Sequence, residues 1–528
     1  MITDEQKEKP ATTPDVSGRQ QMVRNVLVSW LSQLVFIAAG FIMPRLIDHQ
    51  LGREMLGLWD FGWTIVAYFG LVQMGVVGSI NRYVATHQAT GDLAGVNRCV
   101  SSISLVLLAM AALMVLLSVG TAFALPHLLD KHLRPFENEL VWVVVGLGLA
   151  TAVQTASAVY GGVLTGCHQW GIHNGIYAGG HFLTVLGMVG VLLAGGGLRG
   201  LAVVQLLGEL LPAAARMWFA YRVCPGLSLS PRHAEAKTAR SMMHFGGKSF
   251  VPQIADLLLN QTVNVLIIAA MGPAALALFA RPRSLVLQTR SLIFKMSAVL
   301  VPSVSSLQAL GDHQKIQDLV IKATRYACCL TLPVTVTLVT MGSPVLVVWM
   351  GPEYKNGIVL ALLAFGYTTY IVQAPTIGIL GGMNLHGRPA IMHLIACAIS
   401  AVAVALALMV FHLGLPWVAA AVCAPLALLN AIYVPLYVCR CLKLSGREYF
   451  WKALAEPVLY LVPATVALLL ARWLLWSRPL MALPVGAVVA ALITAPIYWQ
   501  WVLPESLKRK IRSRLAFGGA PREAKAIN

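Results

Sequence analysis

Four basic side chains, Arg281, Arg283, Arg290 and Lys295, stand inside one otherwise apolar run, residues 275–302. An ionisable group deep in hydrocarbon is costly, so it faces either a wet cavity or a partner. On a helix, Arg283 and Arg290 lie within about 20° of each other, with Arg281 and Lys295 toward the other side. Arg281 follows Gly272 by nine residues and Lys295 precedes Pro302 by seven. Both side chains are long enough to reach for headgroups, so anchoring and ligand contact are both open for them. Arg290 is different, being about 18 Å of helix rise from Pro302 and about 27 Å from Gly272. A guanidinium presents paired donors that match phosphate oxygens and keeps its charge when desolvated. Arg290 with Arg283 is therefore the pair suited to a phosphate-bearing anion.

The preceding apolar run carries a polar stripe, Gln253, Asp256, Asn260 and Asn264, within about 80° of helical arc. Asp256 is its only charge. The stripe reads either as a packing ladder, with Asp256 paired to an arginine of the next run, or as a surface for sugar or proton contact. On the second reading Asp256 is the candidate for ion coupling. Earlier in the chain the candidates are Gln33, Arg45, Gln73, Asn81 and Arg82. Arg45, Asn81 and Arg82 fall near span ends, where interfacial anchoring is the commoner role, which leaves Gln73 as the cavity candidate. Gln154, Ser157 and Tyr160, and in a later span Tyr367, Tyr370 and Gln373, suit either hydroxyl recognition or plain interhelical packing.

Other chemistries fail on spacing. Gly247-Lys248-Ser249 ends like a phosphate loop, but Met242 stands where the pattern needs glycine. Neither HExxH nor GxSxG occurs, and the nine cysteines contain no CxxC, so they read as buried apolar thiols. The thirteen histidines add no ligand spacing. No metal or cofactor is expected. The longest outer loops, near 126–138 and 351–357, are too short for a catalytic domain, which points to a carrier rather than an enzyme.

The elements that must position these residues follow from composition. Of 528 residues 58% are hydrophobic and 11% charged, and the mean hydropathy is +0.74, which excludes a soluble multidomain chain. The predicted class is an all-α polytopic membrane protein of about fourteen spans. They lie near 23–48, 56–81, 99–125, 139–166, 172–195, 200–222, 247–271, 275–302, 322–350, 357–383, 389–413, 416–439, 455–475 and 480–502. The net charge of +18 is sorted by side, which is a topogenic signal rather than a nucleic-acid one. One set of loops holds Arg222, Arg232, Lys237, Arg240, Lys248, Arg440, Lys443, Arg447 and Lys452. The opposite set holds little beyond Arg53, Lys131, Arg134, Arg199, Lys355 and Arg478. The bias places both termini in the cytoplasm, as an even number of spans requires. Residues 1–22 read as a polar tail without the apolar core of a signal peptide. The basic tail 503–528 serves orientation or docks on anionic lipid.

An internal repeat organises the spans. Gly52, Leu56, Leu58 and Trp59 recur as Gly272, Leu276, Leu278 and Phe279 at an offset of 220, and Gly91-Asp92 recurs as Gly311-Asp312. Gly166 and Gly171 match Gly382 and Gly387 at an offset of 216. A period of six spans is even, so the copies share one orientation. The predicted organisation is a first lobe at 23–222, a cytoplasmic linker at 223–246, a second lobe at 247–439 and an appended pair of helices at 440–502.

These residues resemble the Wzx-type oligosaccharide flippases, the polysaccharide-transporter branch of the multidrug/oligosaccharidyl-lipid/polysaccharide (MATE-like) exporter superfamily. Pro44-Arg45-Leu46, Leu51-Gly52, Leu56-Gly57-Leu58-Trp59 and the run from Gly75 to Tyr83-Val84-Ala85 before Gly91-Asp92 carry the likeness. Gly272-Pro273, Leu278-Phe279 and Val301-Pro302 carry it in the second half. The resemblance implies two six-helix lobes around a central cavity. Their alternating opening would move an undecaprenyl-diphosphate-linked oligosaccharide across a bacterial inner membrane for exopolysaccharide, O-antigen or capsule synthesis. The implied partners are that lipid-linked sugar, membrane lipids and the polymerase and export machinery. Many relatives carry Asp where this chain has Gln73 and Asn264, so no acid stands there to inherit an ion site. The alternative is an ion-coupled multidrug exporter of the same fold. An acidic cavity would favour that alternative, whereas the four basic groups of residues 275–302 favour an anion.

Overall fold

The computed structural model describes residues 22–73, 76–128, 133–248, 251–475 and 479–503, together with 505, 508, 509, 512 and 513. The expected N-terminal tail, but for its last residue, and most of the basic C-terminal tail lie outside the described residues.

All regular structure among the described residues is helical. The first part of the chain forms α1 (Met22–Leu51), α2 (Arg53–Phe69), α3 (Val76–Ala89), α4 (Leu93–Leu128), α5 (Glu137–Gly166), α6 (Trp170–Leu193), α7 (Gly197–Val223), α8 (Ala236–Lys248), α9 (Val251–Met271) and α10 (Pro273–Ala309). Then come α11 (His313–Met350), α12 (Gly357–Val372), α13 (Ala374–Gly382), α14 (Gly387–Ala405), α15 (Leu415–Leu428), α16 (Val434–Leu442), α17 (Gly446–Tyr449), α18 (Glu456–Leu474) and α19 (Pro479–Trp501). Twelve helical stretches among the described residues are long and apolar enough to cross a membrane. The two remaining members of the predicted fourteen are α10, a continuous helix, and the span predicted at 56–81. That span is not one helix. It divides into α2 and α3, with a 3-10 turn at Gly70–Gln73, where glycine at position 70 weakens the helical ladder.

The repeat read from the sequence is a repeat of backbone geometry. Gly52 and Gly272 both adopt the left-handed region, φ 90° and 82°, ending one helix and opening the next within a single residue. Gly91 and Gly311 share φ 69°, and the aspartate after each caps the next helix. Asp92 accepts from the Gly95 backbone N–H at 2.8 Å, and Asp312 from that of Lys315 at 3.1 Å. His168 and Asn384, at the 216 offset, match at φ 60° and 59°. Close helix contacts repeat too. A Cβ on Gly166 would lie 2.6 Å from the Val84 side chain, and one on Gly382 would lie 2.8 Å from the Val301 carbonyl oxygen and 2.9 Å from Val304. Val84 and Val304 are themselves related by the 220 offset, and both are fully buried.

The described residues fall into two compact units that divide between Ala277 and Leu278. The division falls in the first turns of α10, later than the predicted linker at 223–246, so that segment and α9 are both part of the first unit. Residues 223–246 are an ordered strap. Their backbone N–H groups at Ser228, Ser230 and Glu235 donate to Asn97, Ser101 and Ser102 of α4, and the Tyr83 and Ser241 hydroxyls of α3 and α8 pair at 2.8 Å. In the second unit the appended pair is tied to α11. The Arg325 guanidinium meets Glu456 at 3.1 Å and donates to the Tyr460 hydroxyl and the Trp501 carbonyl. The Tyr498 hydroxyl donates to the Cys329 carbonyl at 2.7 Å.

Two predictions follow from the repeated turns. Gly382→Ala forces its methyl onto the α10 backbone and should destabilise the fold by about 1–3 kcal/mol, read as a lowered melting temperature in detergent. The Gly95 N–H, with the His87 ring beside it, holds the Asp92 carboxyl below the usual carboxylate range. The Lys315 ammonium and backbone N–H do the same for Asp312. A carboxyl depressed in the fold contributes stability above its unfolded value, near about 3.9, and loses it as pH falls through the folded value. The double variant Asp92→Asn, Asp312→Asn should therefore melt lower than wild type at neutral pH, and the gap should narrow below about pH 4.

Candidate functional site

α10 carries the cationic face of the second unit. Arg281 and Arg283 are buried, 6% and 9% exposed, so neither guanidinium extends into the surroundings of the unit as headgroup anchoring would need. Arg283 lies 5.5 Å over the Phe279 ring. One heptad on, Arg290 is half-buried and held between two aromatic faces, 4.7 Å from the Phe294 centroid and 4.9 Å from that of Tyr370. Its Nη2 donates to the Tyr370 hydroxyl at 3.3 Å. Phe294 and Tyr370 meet edge to face at 5.5 Å, and Tyr370 stacks on His393 at 5.1 Å. The aromatic clamp offsets desolvation through the ring quadrupoles without neutralising the charge. Lys295 belongs to α10, but its side chain lies outside the described residues.

Tyr370 is thus a clamp residue, 6% exposed, while Gln373 serves packing. The Gln373 Oε1 accepts from the buried Tyr449 hydroxyl at 3.0 Å, in a knot that includes Thr324 and Thr376. Proline at 375 starts a new helix beside it, where φ is fixed and no N–H is needed.

In the first unit two residues of the α9 stripe, Asn260 and Asn264, make hydrogen bonds within the unit. The Asn260 side chain donates to the Asp256 carbonyl at 2.6 Å. Asn264, 5% exposed, donates to Thr64 of α2 at 2.8 Å, the interhelical bond that the packing reading anticipates. Asp256 is half-buried, and the Gln253 side chain lies outside the described residues. At the break between α2 and α3, Gln73 donates to the Thr155 hydroxyl of α5 at 2.6 Å. Arg45 and Arg82 are exposed, as interfacial anchors would be. Asn81 instead lines a cleft.

That cleft, about 390 Å³, contains the functional group that the sequence reading passed over. It is walled by α3, α5, α6 and α7, and its lining includes Gln73, Gln154, Trp170, His173, Tyr177 and Arg216. Arg216 is 4% exposed and stands 3.7 Å from Glu209. Its Nε donates to the Pro212 carbonyl at 3.2 Å. The signal was in the sequence, because Glu209 and Arg216 are seven apart inside one span, the spacing that pairs Arg283 with Arg290. The contribution of His173 from α6 was not readable, because it depends on Gly161 of α5, where a Cβ would lie 2.9 Å from the imidazole.

Comparison with known proteins places this geometry. A family described as "Polysaccharide biosynthesis protein" matches residues 137–359. The uncharacterized membrane protein EpsK of Bacillus subtilis (strain 168) is 23% identical over 425 residues, which cover 79% of this chain and 82% of EpsK. The lipid II flippase MurJ, in an inward closed conformation, superimposes with a TM-score of 0.64 at 12% identity over 91% of this chain and 100% of MurJ. An inward-facing multidrug resistance MATE family transporter of the MOP superfamily gives 0.63 at 14% identity, covering 80% and 98% of the two chains. The chain has the fold of these transporters. Its resemblance to the polysaccharide-transporter branch holds, and it is a multi-pass membrane protein.

The clamp on Arg290 makes a graded prediction. Tyr370→Phe removes one hydrogen bond but keeps the ring and should cost no more than about 1 kcal/mol of thermal stability. Tyr370→Ala also leaves the cation uncovered and a cavity beside it, at about 3–5 kcal/mol.

Proposed function

We propose that this protein flips a polyprenyl-diphosphate-linked oligosaccharide from the cytoplasmic to the outer leaflet of a bacterial inner membrane, for assembly of a surface or secreted polysaccharide. The observation that carries the reading is Arg290, held inside an apolar helix between the Phe294 and Tyr370 rings with its Nη2 donating to the Tyr370 hydroxyl. Arg283, two turns away, adds a second guanidinium, and the pair suits the two phosphates of a diphosphate linkage. The match to polysaccharide biosynthesis proteins supports the substrate class, and the likeness to a lipid II flippase supports the mode of transport. The basic face argues against an organic cation as cargo.

On this reading the two lobes, 23–222 and 247–439, alternate access, both termini are cytoplasmic, and Asp256 is the coupling candidate in α9. Membrane lipids and the downstream polymerase and export machinery are its partners, and the protein carries substrate without chemically altering it. The test is polysaccharide export at matched protein abundance. Arg283→Ala with Arg290→Ala should lower export by at least about tenfold, the equivalent of one lost charged contact. Arg290→Lys should restore only part of it, since an ammonium lacks the paired donors. Unchanged export in the double alanine variant would reject the reading.

A further inference from the structure

We infer that the cleft inside the first unit is a sugar-binding pocket for uncharged, hydroxyl-rich rings of the transported glycan. The inference rests on the flippase reading and assigns a separate site to the saccharide.

Three properties of the cleft point to this ligand. The first is its charge balance. Arg216 is buried at 3.7 Å from Glu209, so the pair contributes no net charge. An anion gains little there, whereas a hydroxyl, which both donates and accepts, matches a paired cation and carboxylate.

The second is unspent hydrogen-bonding capacity. Arg216 Nη2 and His173 Nδ1 are both buried without a hydrogen-bond partner, and both residues line the cleft. A buried polar atom left unsatisfied costs about 1–3 kcal/mol, a cost that an arriving hydroxyl removes. Gln73 and Gln154 add amides, each able to donate and accept.

The third is shape. Trp170 and Tyr177 supply ring faces at the cleft, on which the C–H face of a sugar can stack, and both rings are partly exposed. The volume of about 390 Å³ falls within the roughly 300–1,000 Å³ of small-molecule sites. A Cβ on Gly78, which lines the cleft, would meet nothing within 4 Å, so the space extends to the α3 backbone. That open position also allows the pocket to be filled without disturbing packing.

The test compares two lipids on the full-length purified protein in nanodiscs. One is bare polyprenyl diphosphate; the other is the glycan-bearing polyprenyl diphosphate extracted from a strain that lacks this gene. Wild type should bind the glycan-bearing lipid about tenfold more tightly, as two or three added hydrogen bonds allow. Gly78→Trp should abolish that preference while leaving the affinity for the bare lipid unchanged. Arg216→Gln is the second variant, read in the same way if the tryptophan variant fails to fold. Equal binding of the two lipids by wild type, or a preference unchanged in the folded variants, overturns the sugar pocket and leaves the flippase reading standing. Binding of neither lipid by wild type overturns both.

Discussion

A guanidinium inside an apolar helix is the constraint on which the rest of this structure depends. In hydrocarbon such a group must be covered, paired or wetted, and each arginine in the interior is accommodated differently. Arg290 is covered by aromatic faces, which lower the cost of burial. Arg216 is balanced by Glu209 and shares its cleft with aromatic and amide side chains. Arg325 is tied to Glu456, Tyr460 and the Trp501 carbonyl, and so fastens the appended helices to α11. The same residue type thus sits between aromatic rings, beside a carboxylate in a cleft and at a joint between helices. The partner, rather than the arginine, decides which.

Helices, spans and repeat were legible because each has a one-dimensional signature. Apolar length defines a span, and recurring glycines at fixed offsets define the repeat. What could not be anticipated is how faithfully the turns repeat in backbone angle, with Gly91 and Gly311 at the same φ and an aspartate capping each following helix. Such agreement follows from local chemistry, since a glycine in the left-handed region followed by a capping aspartate has few alternatives. The break between α2 and α3 was hidden because residues 56–81 are apolar enough to read as one run. The strap at 223–246 was hidden because a polar segment that docks through backbone N–H groups has the composition of a loop.

The candidate site was legible in part, and for a physical reason. Arg283 and Arg290 announce themselves through a spacing of seven residues in an apolar run, and Glu209 with Arg216 repeats that spacing. What surrounds them comes from other helices, so Tyr370 and His173 acquire their roles only when the chain is folded. Gln373 shows the opposite outcome, a polar residue suited to sugar that is engaged by the Tyr449 hydroxyl in packing. The bonds made by Asn264 and Gln73 likewise join helices, α9 to α2 and the α2–α3 break to α5.

Transfer of a lipid-linked glycan between leaflets is tested most directly by the leaflet in which that lipid accumulates when the gene is deleted. Intact cells and inverted membrane vesicles, each treated with a membrane-impermeant sugar-labelling reagent, distinguish the two faces. For a flippase, glycan-bearing polyprenyl diphosphate should be reactive only in the inverted vesicles, with polysaccharide export lost and restored by the wild-type gene. The same lipid reactive from the outside of intact deletion cells would contradict that role.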